Sequence, residues 1–459
     1  MTTLRDPDVG AASTWRPRPI TAARPVLADR HIAVIGLGYV GLPLAIAFVE
    51  AGLEVEGIDV REGRVAELNA GRSPIDDIPD ERLADAISSG LRVASSSHSR
   101  LADADVIVVC VPTPINRAKD PDLGPVLAAA RSIRSAIRPG QLIILQSSTF
   151  PGTTNGPFRA VLEESGLIAG RDFDLAYAPE RVNPGDPASA SRSVPRLVGA
   201  ITVAGTRRAA AVLRHVNDVV VELSSPDAAE LTKLIENAFR TVNIAFINQL
   251  ALMCERMGLD VWEVVDAAAT KPFGFLRFTP GPGVGGHCIP VDPHYLSWRA
   301  REFDFVDRFI ELAGEINGSM PRHVVDLTAE ALNDRGRALK GARVGVIGVA
   351  FKPNVRDARN SPAAPVIAGL AARGAEVRFH DPHVASFRDA ADAERLGSDL
   401  DPLLAWAEVV VVVTPHTAID WDEVYARAPL IVDTVDSSSH RVTRARQVLR
   451  LGAGWSTRT

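Results

Sequence analysis

The densest run of chemistry-bearing residues is 278–293, Phe-Thr-Pro-Gly-Pro-Gly-Val-Gly-Gly-His-Cys-Ile-Pro-Val-Asp-Pro. Glycine and proline at this density make a rigid loop whose backbone can come close to a ligand. Cys288 sits inside it, and Asp292 follows four residues later. A thiol in a polar, glycine-rich setting has the surroundings of a nucleophile; a merely buried cysteine is the alternative. The other two cysteines are plainer. Cys110 ends an apolar run and Cys254 lies near the end of an apolar helical stretch, so both are expected as inert core thiols. His287, Cys288 and His294 bring metal to mind, but an adjacent His and Cys cannot easily converge on one ion, and no metal site is expected.

Gly36-Leu-Gly38-Tyr-Val-Gly41 follows an apolar β-branched run and opens a helical one. In that context the glycines allow a tight turn and close approach of the backbone to a pyrophosphate, which the helix N-terminus then favours. Asp59 ends the next strand, 21 positions after Gly38, where a carboxylate accepts from ribose hydroxyls and repels a 2′-phosphate. NAD is therefore expected rather than NADP. A related segment, Gly348-Val-Ala-Phe-Lys352, has one glycine where the first has three, so a second NAD site is not expected. Lys352, Arg356 and Arg359 cluster there instead, suiting an anionic ligand or else forming a solvated basic loop.

Three further groups could do chemistry. Lys233 and Asn237, four apart, share a helix face that Arg240 continues; Glu230 and Glu236 could make this a salt-bridged exposed stripe instead. Ser147, Ser148 and Thr149 close a strand where hydroxyls can face a nicotinamide. Glu180 lies in the loop Ala178-Pro-Glu-Arg-Val-Asn-Pro-Gly185, where carboxylates are mostly solvated.

The elements that must position these residues repeat. Strand-like runs at 31–36, 53–59, 105–111 and 141–146 return in the same order at 342–348, 376–381, 408–414 and 430–433, with helical stretches between. Wholly apolar strands alternating with helices read as parallel sheets covered on both faces. The expected fold is α/β: two Rossmann-like, doubly wound parallel-sheet domains joined by a long central helix. That helix has clear ends. Ser225 can cap it, Pro226 fits its first position, Asp227 and Glu230 suit its positive end, and Gly258 can stop it. At 1.5 Å per residue it is a rod of roughly 45 Å. Leu231, Leu234, Ile235, Phe239, Ile244, Phe246 and Leu250 make much of its surface apolar, so it should be buried on most sides and could pair with a second subunit.

Composition bounds the rest. The 459 residues suit two or three domains, and 46% hydrophobic content excludes a disordered chain. Fifty Lys and Arg against 56 Asp and Glu, a formal charge of −6, argue against a general nucleic-acid binder. Three unevenly spaced cysteines suit a reducing compartment. Residues 1–29 read as a disordered tail, and neither a signal-peptide core nor a membrane-spanning run is evident, so a cytoplasmic protein is expected.

Taken together, Gly281-Pro-Gly-Val-Gly-Gly-His-Cys288-Ile-Pro-Val-Asp292, Gly36-Leu-Gly-Tyr-Val-Gly-Leu-Pro43 and Val111-Pro-Thr-Pro114 resemble the UDP-glucose/GDP-mannose dehydrogenase family across roughly residues 30–450. Within it, Ser73-Pro-Ile-Asp-Asp-Ile-Pro79, Thr270-Lys-Pro-Phe-Gly-Phe275 and Pro179-Glu-Arg-Val-Asn-Pro-Gly185 are most similar to UDP-N-acetylglucosamine 6-dehydrogenases. The resemblance implies an NAD-binding domain at 30–222, a dimerising and catalytic-loop region at 223–335 and a UDP-sugar-binding domain at 336–459. It implies oxidation of a sugar C6 alcohol to a carboxylate with two NAD in succession. Cys288 would attack the intermediate aldehyde, Lys233 and Asn237 would hold developing oxyanion, and Asp292 would position or deprotonate water. Glu180 would do acid–base or hydrolytic work, with Ser148 at the reacting end of the cofactor. Gly36, Gly38, Tyr39, Val40, Gly41, Asp59, Arg64, Thr113, Ser148 and Arg359 would contact NAD. Gly285 and Lys352, with Glu180, Lys233 and Asn237, would contact the UDP-sugar.

The chain departs from the family pattern in places. Gln146-Ser147-Ser148 stands for the usual Glu-Ser-Thr, and His294 and Arg277 fall where an aromatic and a smaller or apolar residue are expected. Alternative substrates are UDP-glucose and UDP-N-acetylmannosamine. The alternative of a different class is a nucleotide-sugar binder without catalysis.

Overall fold

The computed structural model describes residues 29–75, 78–95, 98–116, 120–181, 192–286, 289–389, 393–439 and 441–456. The expected tail lies outside them except for Asp29, as do residues 183–185, His287 and Cys288.

The first sheet runs β1 (His31–Ile35), β2 (Glu54–Ile58), β3 (Arg92–Ala94), β4 (Val106–Val109), β5 (Leu142–Leu145), β6 (Asp174–Tyr177), β7 (Arg196–Ala200) and β8 (Val220–Glu222) in sequence, and β3-β2-β1-β4-β5-β6-β7-β8 in space. Its central strands β4 and β5 are buried at every position, which is why their sequences are unbroken apolar runs rather than alternating ones. The second sheet contains β9 (Arg343–Ile347), β10 (Glu376–His380), β13 (Val409–Val412), β14 (Ile431–Asp433), β15 (Val448–Arg450) and β16 (Gly454–Trp455), ordered β10-β9-β13-β14-β15-β16. A small antiparallel hairpin, β11 (Ser386–Arg388) and β12 (Glu394–Leu396), stands beside it.

The internal repeat is visible as space: β2-β1-β4-β5 and β10-β9-β13-β14 are the same parallel arrangement. Two pairings break the parallel rule. β7 runs antiparallel to β6, and β16 closes a tight antiparallel turn after β15. In each sheet the chain leaves the first central strand one way and returns on its other side, opening a crevice at the carboxyl ends of β1 and β4 and of β9 and β13. Crevices of this kind are where α/β sheets bind ligands.

The connecting helix spans Pro226–Met257. Ser225 Oγ accepts from Ala228 N at its start, and Gly258 closes it in the left-handed conformation at φ 68°. Its first half packs on β6 and β7; the rest packs along the helix Arg308–Asn333. The expectation that it is buried on most sides is corrected: Leu231, Ile235, Phe239, Phe246, Met253 and Met257 are exposed. Polar Glu230, Lys233, Asn237, Thr241 and Asn248 share the buried side with Ala229, Leu234, Ala238, Ile247 and Ala251.

At its far end the helix is bound to the second sheet. Trp262 Nε1 donates to Leu451 O at 2.9 Å, and the buried Arg450 guanidinium spans Asp260 and Asp436. Among the described residues no helix is long and apolar enough to cross a membrane.

Candidate active site

The loop after β1 has the form a dinucleotide needs. Gly36 lies at φ 92°, and a Cβ there would come 2.6 Å from Cys110 O, so the turn is pressed against the end of β4. Gly38 is open except toward Arg64, whose Nη1 donates to Leu37 O at 3.3 Å. Tyr39 and Val40 follow, half-buried, and the helix Gly41–Glu50 begins. Asp59 is buried at the end of β2. One of its oxygens accepts from Leu37 N at 3.0 Å and the other from Arg61 N at 2.9 Å, leaving each with a second lone pair for a ribose hydroxyl. These residues fit NAD: a glycine cradle, a helix N-terminus and a carboxylate at the adjacent strand end.

The helix residues converge with the cysteine loop. Lys233 is 7% exposed and Asn237 fully buried. Asn237 Nδ2 donates to Asp292 Oδ2 at 2.5 Å, Arg240 donates to Asn237 Oδ1, and Lys233 and Arg240 bring positive charge to bear on Asp292. Burial nevertheless pushes the Asp292 carboxyl up to about 6, against the pull of Lys233, the Asn237 bond and Arg240. The salt-bridged exposed stripe does not form. Glu236 pairs with Arg181 at 2.6 Å, and Glu230 turns inward to the loop after β5.

Cys288 itself lies outside the described residues, but the chain on both sides of it is pinned. Gly281 N donates to Asn248 Oδ1 at 2.9 Å, and Asn248 Nδ2 to Asn317 Oδ1 at 2.9 Å. Asn360 Nδ2 donates to Gly286 O at 3.1 Å. A Cβ on Gly285 would meet Phe351 Cβ at 2.9 Å and Asn360 O at 3.0 Å, so this backbone lies flush on the second domain. Beyond it, Asp292 starts the helix Asp292–Arg301, and buried Tyr295 donates its hydroxyl to the carbonyls of Thr113 and Pro114 after β4. The loop is thus gripped from both domains. Tyr295, Asn248 and Asn317 were not expected; only the polarity of the two asparagines among apolar helical neighbours was a signal.

Glu180 is not a solvated carboxylate. Arg196 Nη1 lies 2.6 Å from its Oε2, Gln146 Nε2 donates to the same oxygen at 3.1 Å, and Arg181 N donates to Oε1 at 2.8 Å. Arg196 and Gln146 are both buried. An arginine in the otherwise apolar strand β7 was the signal for this cluster. Ser147 Oγ and Thr149 Oγ1 are turned inward to Val109 O and Glu230, while Ser148 is half-buried beside them. Cys110 and Cys254 are buried free thiols, as expected, and burial raises both. No metal cluster occurs among the described residues.

A cleft of about 1020 Å³ runs from the cysteine loop to the second domain, lined by Val284, Pro293, His294, Asn317, Arg356 and Arg359 among others. Arg359 pairs with Asp357 at 2.8 Å and holds its guanidinium 5.7 Å from the Tyr39 ring, bridging the glycine loop and the second domain. Lys352 is half-buried in the same loop after β9.

Residues 30–217, 227–319 and 345–438 match the NAD-binding, central and UDP-binding domains of the UDP-glucose/GDP-mannose dehydrogenase family. A UDP-N-acetyl-D-glucosamine 6-dehydrogenase from Pseudomonas aeruginosa is 36% identical over 360 residues, covering 78% of this chain and 84% of that protein. A UDP-N-acetyl-D-mannosamine dehydrogenase from Pyrococcus horikoshii is 34% identical over 409 residues, covering 88% and 94%. The solved structure of a UDP-D-ManNAc dehydrogenase from Pyrococcus horikoshii superposes with a TM-score of 0.82 at 32% identity, over 92% of this chain and 99% of that one. The chain belongs to the UDP-glucose/GDP-mannose dehydrogenase family of NAD-dependent oxidoreductases.

Proposed function

We propose that the protein oxidises the C6 alcohol of UDP-N-acetylglucosamine to the uronic acid, with divisions near 30–222, 223–335 and 336–459 serving NAD, the catalytic loop and the UDP-sugar. The observation that carries this reading is the burial of Lys233, Asn237 and Asp292 together, beside a glycine loop gripped by both domains. NAD, when bound, takes one hydride in each of two oxidations. Lys233 and Asn237 stabilise negative charge on the C6 oxygen as the first hydride leaves. The Cys288 thiolate then adds to the aldehyde carbon, and loss of the second hydride from that carbon leaves a thioester. Water cleaves it, Asp292 taking the proton, and the thiol is restored. In balance the alcohol loses two hydrides, water supplies one oxygen, and three protons are released. Glu180, fixed by Arg196 and Gln146, serves the hydrolytic half. Gly285 and Lys352 face the sugar nucleotide; Arg64, Thr113, Ser148 and Arg359 face NAD.

The family membership supports a UDP-sugar. The acetamido sugar rests on the 36% identical Pseudomonas relative and the 73–79 and 270–275 motifs. The Pyrococcus relative favours UDP-N-acetylmannosamine as the second reading. We also propose a cytoplasmic homodimer, since the reaction needs a reduced thiol and the connecting helix carries an exposed apolar stripe.

The test is a steady-state assay on UDP-N-acetylglucosamine, UDP-N-acetylmannosamine and UDP-glucose, counting NADH per sugar. Two NADH with UDP-N-acetylglucosamine preferred is the expected result. One NADH with free aldehyde overturns the cysteine route, and binding without NADH leaves a non-catalytic binder. Cys288→Ala should abolish uronic acid formation while NAD affinity, measured by titration, is unchanged.

A further inference from the structure

Glu230 is fully buried one helical turn before Lys233, and its hydrogen-bond partners among the described residues are all neutral donors. Its Oε1 accepts from Thr154 Oγ1 at 2.6 Å, Thr154 N at 2.9 Å and Thr149 Oγ1 at 3.3 Å; its Oε2 accepts from Gly152 N at 2.7 Å. All four donors belong to the loop that follows β5 and carries Ser148. A second tie closes the same loop from the other side, where Arg299 Nε donates to Pro151 O at 3.0 Å from the helix that begins at Asp292.

We propose that Glu230 is a positioning residue, whose carboxylate clasps the 149–154 loop to the connecting helix and so sets the Ser148 hydroxyl relative to the Lys233 ammonium. The inference rests on the reading above, in which Lys233 and Ser148 serve hydride removal at C6. Burial pushes the Glu230 carboxyl up to about 7, against the pull of the Thr154 and Gly152 donors; a carboxylate held by neutral donors alone is a costly way to hold a loop, because desolvation of the charge is not offset by a cation. What it provides is direction: donors on both oxygens fix the carboxylate in rotation as well as distance. The clasp is one residue from Ser148 and one turn from Lys233, so a slip in it reaches both with little attenuation. A misplacement of about 1 Å between reacting groups costs on the order of a hundredfold in rate.

Glu230→Gln is the decisive variant, since one oxygen becomes an NH₂ facing an N–H or O–H donor. The expected result is a kcat at least about tenfold lower, with KM for NAD and UDP-sugar changed less than about threefold. The primary isotope effect with C6-deuterated UDP-sugar should also rise, as hydride removal becomes rate-limiting. Thr154→Val, which keeps the backbone donor and loses only the hydroxyl, should move kcat and the isotope effect in the same direction by about threefold. If Glu230→Gln does not fold, Thr154→Val and Thr149→Val decide. Wild-type kcat and isotope effect in the folded variants, whatever their melting temperature, overturn the proposal, as does a rise in KM alone. Lys233→Ala is assayed alongside. If it retains wild-type kcat, the reading of the site fails; if it is impaired while Glu230→Gln is not, only the clasp fails.

Discussion

Asp292 shows how one position is given its chemistry by its surroundings. A carboxyl buried at a helix start would resist ionising, and burial does push it up to about 6. The charge of Lys233, the Asn237 amide and Arg240 hold that rise in check, so near pH 7 the carboxylate form predominates. A base for the hydrolytic water must be deprotonated, so kcat should rise as pH passes upward through about 6 and level off above it. Asp292→Asn should lower kcat by about a hundredfold or more and remove that limb from the pH profile. A limb near 6 persisting in the variant would assign the titration to another group. Glu180 is governed differently: Arg196 and the Gln146 amide meet on one oxygen, so its charge is compensated directly. With glutamate at 146, as in the family's usual motif, a second carboxylate would stand where the amide now donates.

At the scale of elements, the connecting helix was legible almost to the residue, because Ser225, Pro226 and Gly258 are local signals that need no knowledge of the fold. The strands were legible for a similar reason: wholly apolar runs such as Val409–Val412 suit only a sheet covered on both faces. Which face of the helix is buried was not legible. Its buried side carries Glu230, Lys233, Asn237 and Asn248, whose polarity is satisfied by loops distant in sequence, while phenylalanines point outward. Periodicity assigns apolar residues inward and fails where a polar site is the interior. Arg196 was missed for the same reason, its partner Glu180 lying on another strand's loop. The cysteine loop offers an element-scale prediction. Gly285→Ala would force a Cβ against Phe351 and Asn360, and such overpacking typically costs about 1–3 kcal/mol. Urea unfolding should show that loss, and kcat should fall while NAD affinity stays at its wild-type value, because the glycine loop after β1 is untouched.

For the whole molecule the exposed stripe on the connecting helix matters most. Leu231, Ile235, Phe239, Phe246, Met253 and Met257 recur at helical spacing along one side of a 32-residue rod, with Phe239 at 48% and Phe246 at 58% exposure. A contiguous apolar face of this kind marks an association surface. It also reaches the cysteine loop, since the Phe239 ring packs edge-on against Phe278 at 6.0 Å, at the start of the segment that leads to Cys288. In a twofold dimer each substitution appears twice across a self-complementary interface, so one buried charge meets its own copy. Phe246→Asp should therefore convert a species of twice 49.0 kDa into one of 49.0 kDa by light scattering. The monomer should lose turnover while still binding NAD, because the proposed dimer contact would buttress the Phe278 end of the loop and not the glycine loop after β1. A variant that keeps the doubled mass would move the interface elsewhere, and a fully active 49.0 kDa species would uncouple association from catalysis.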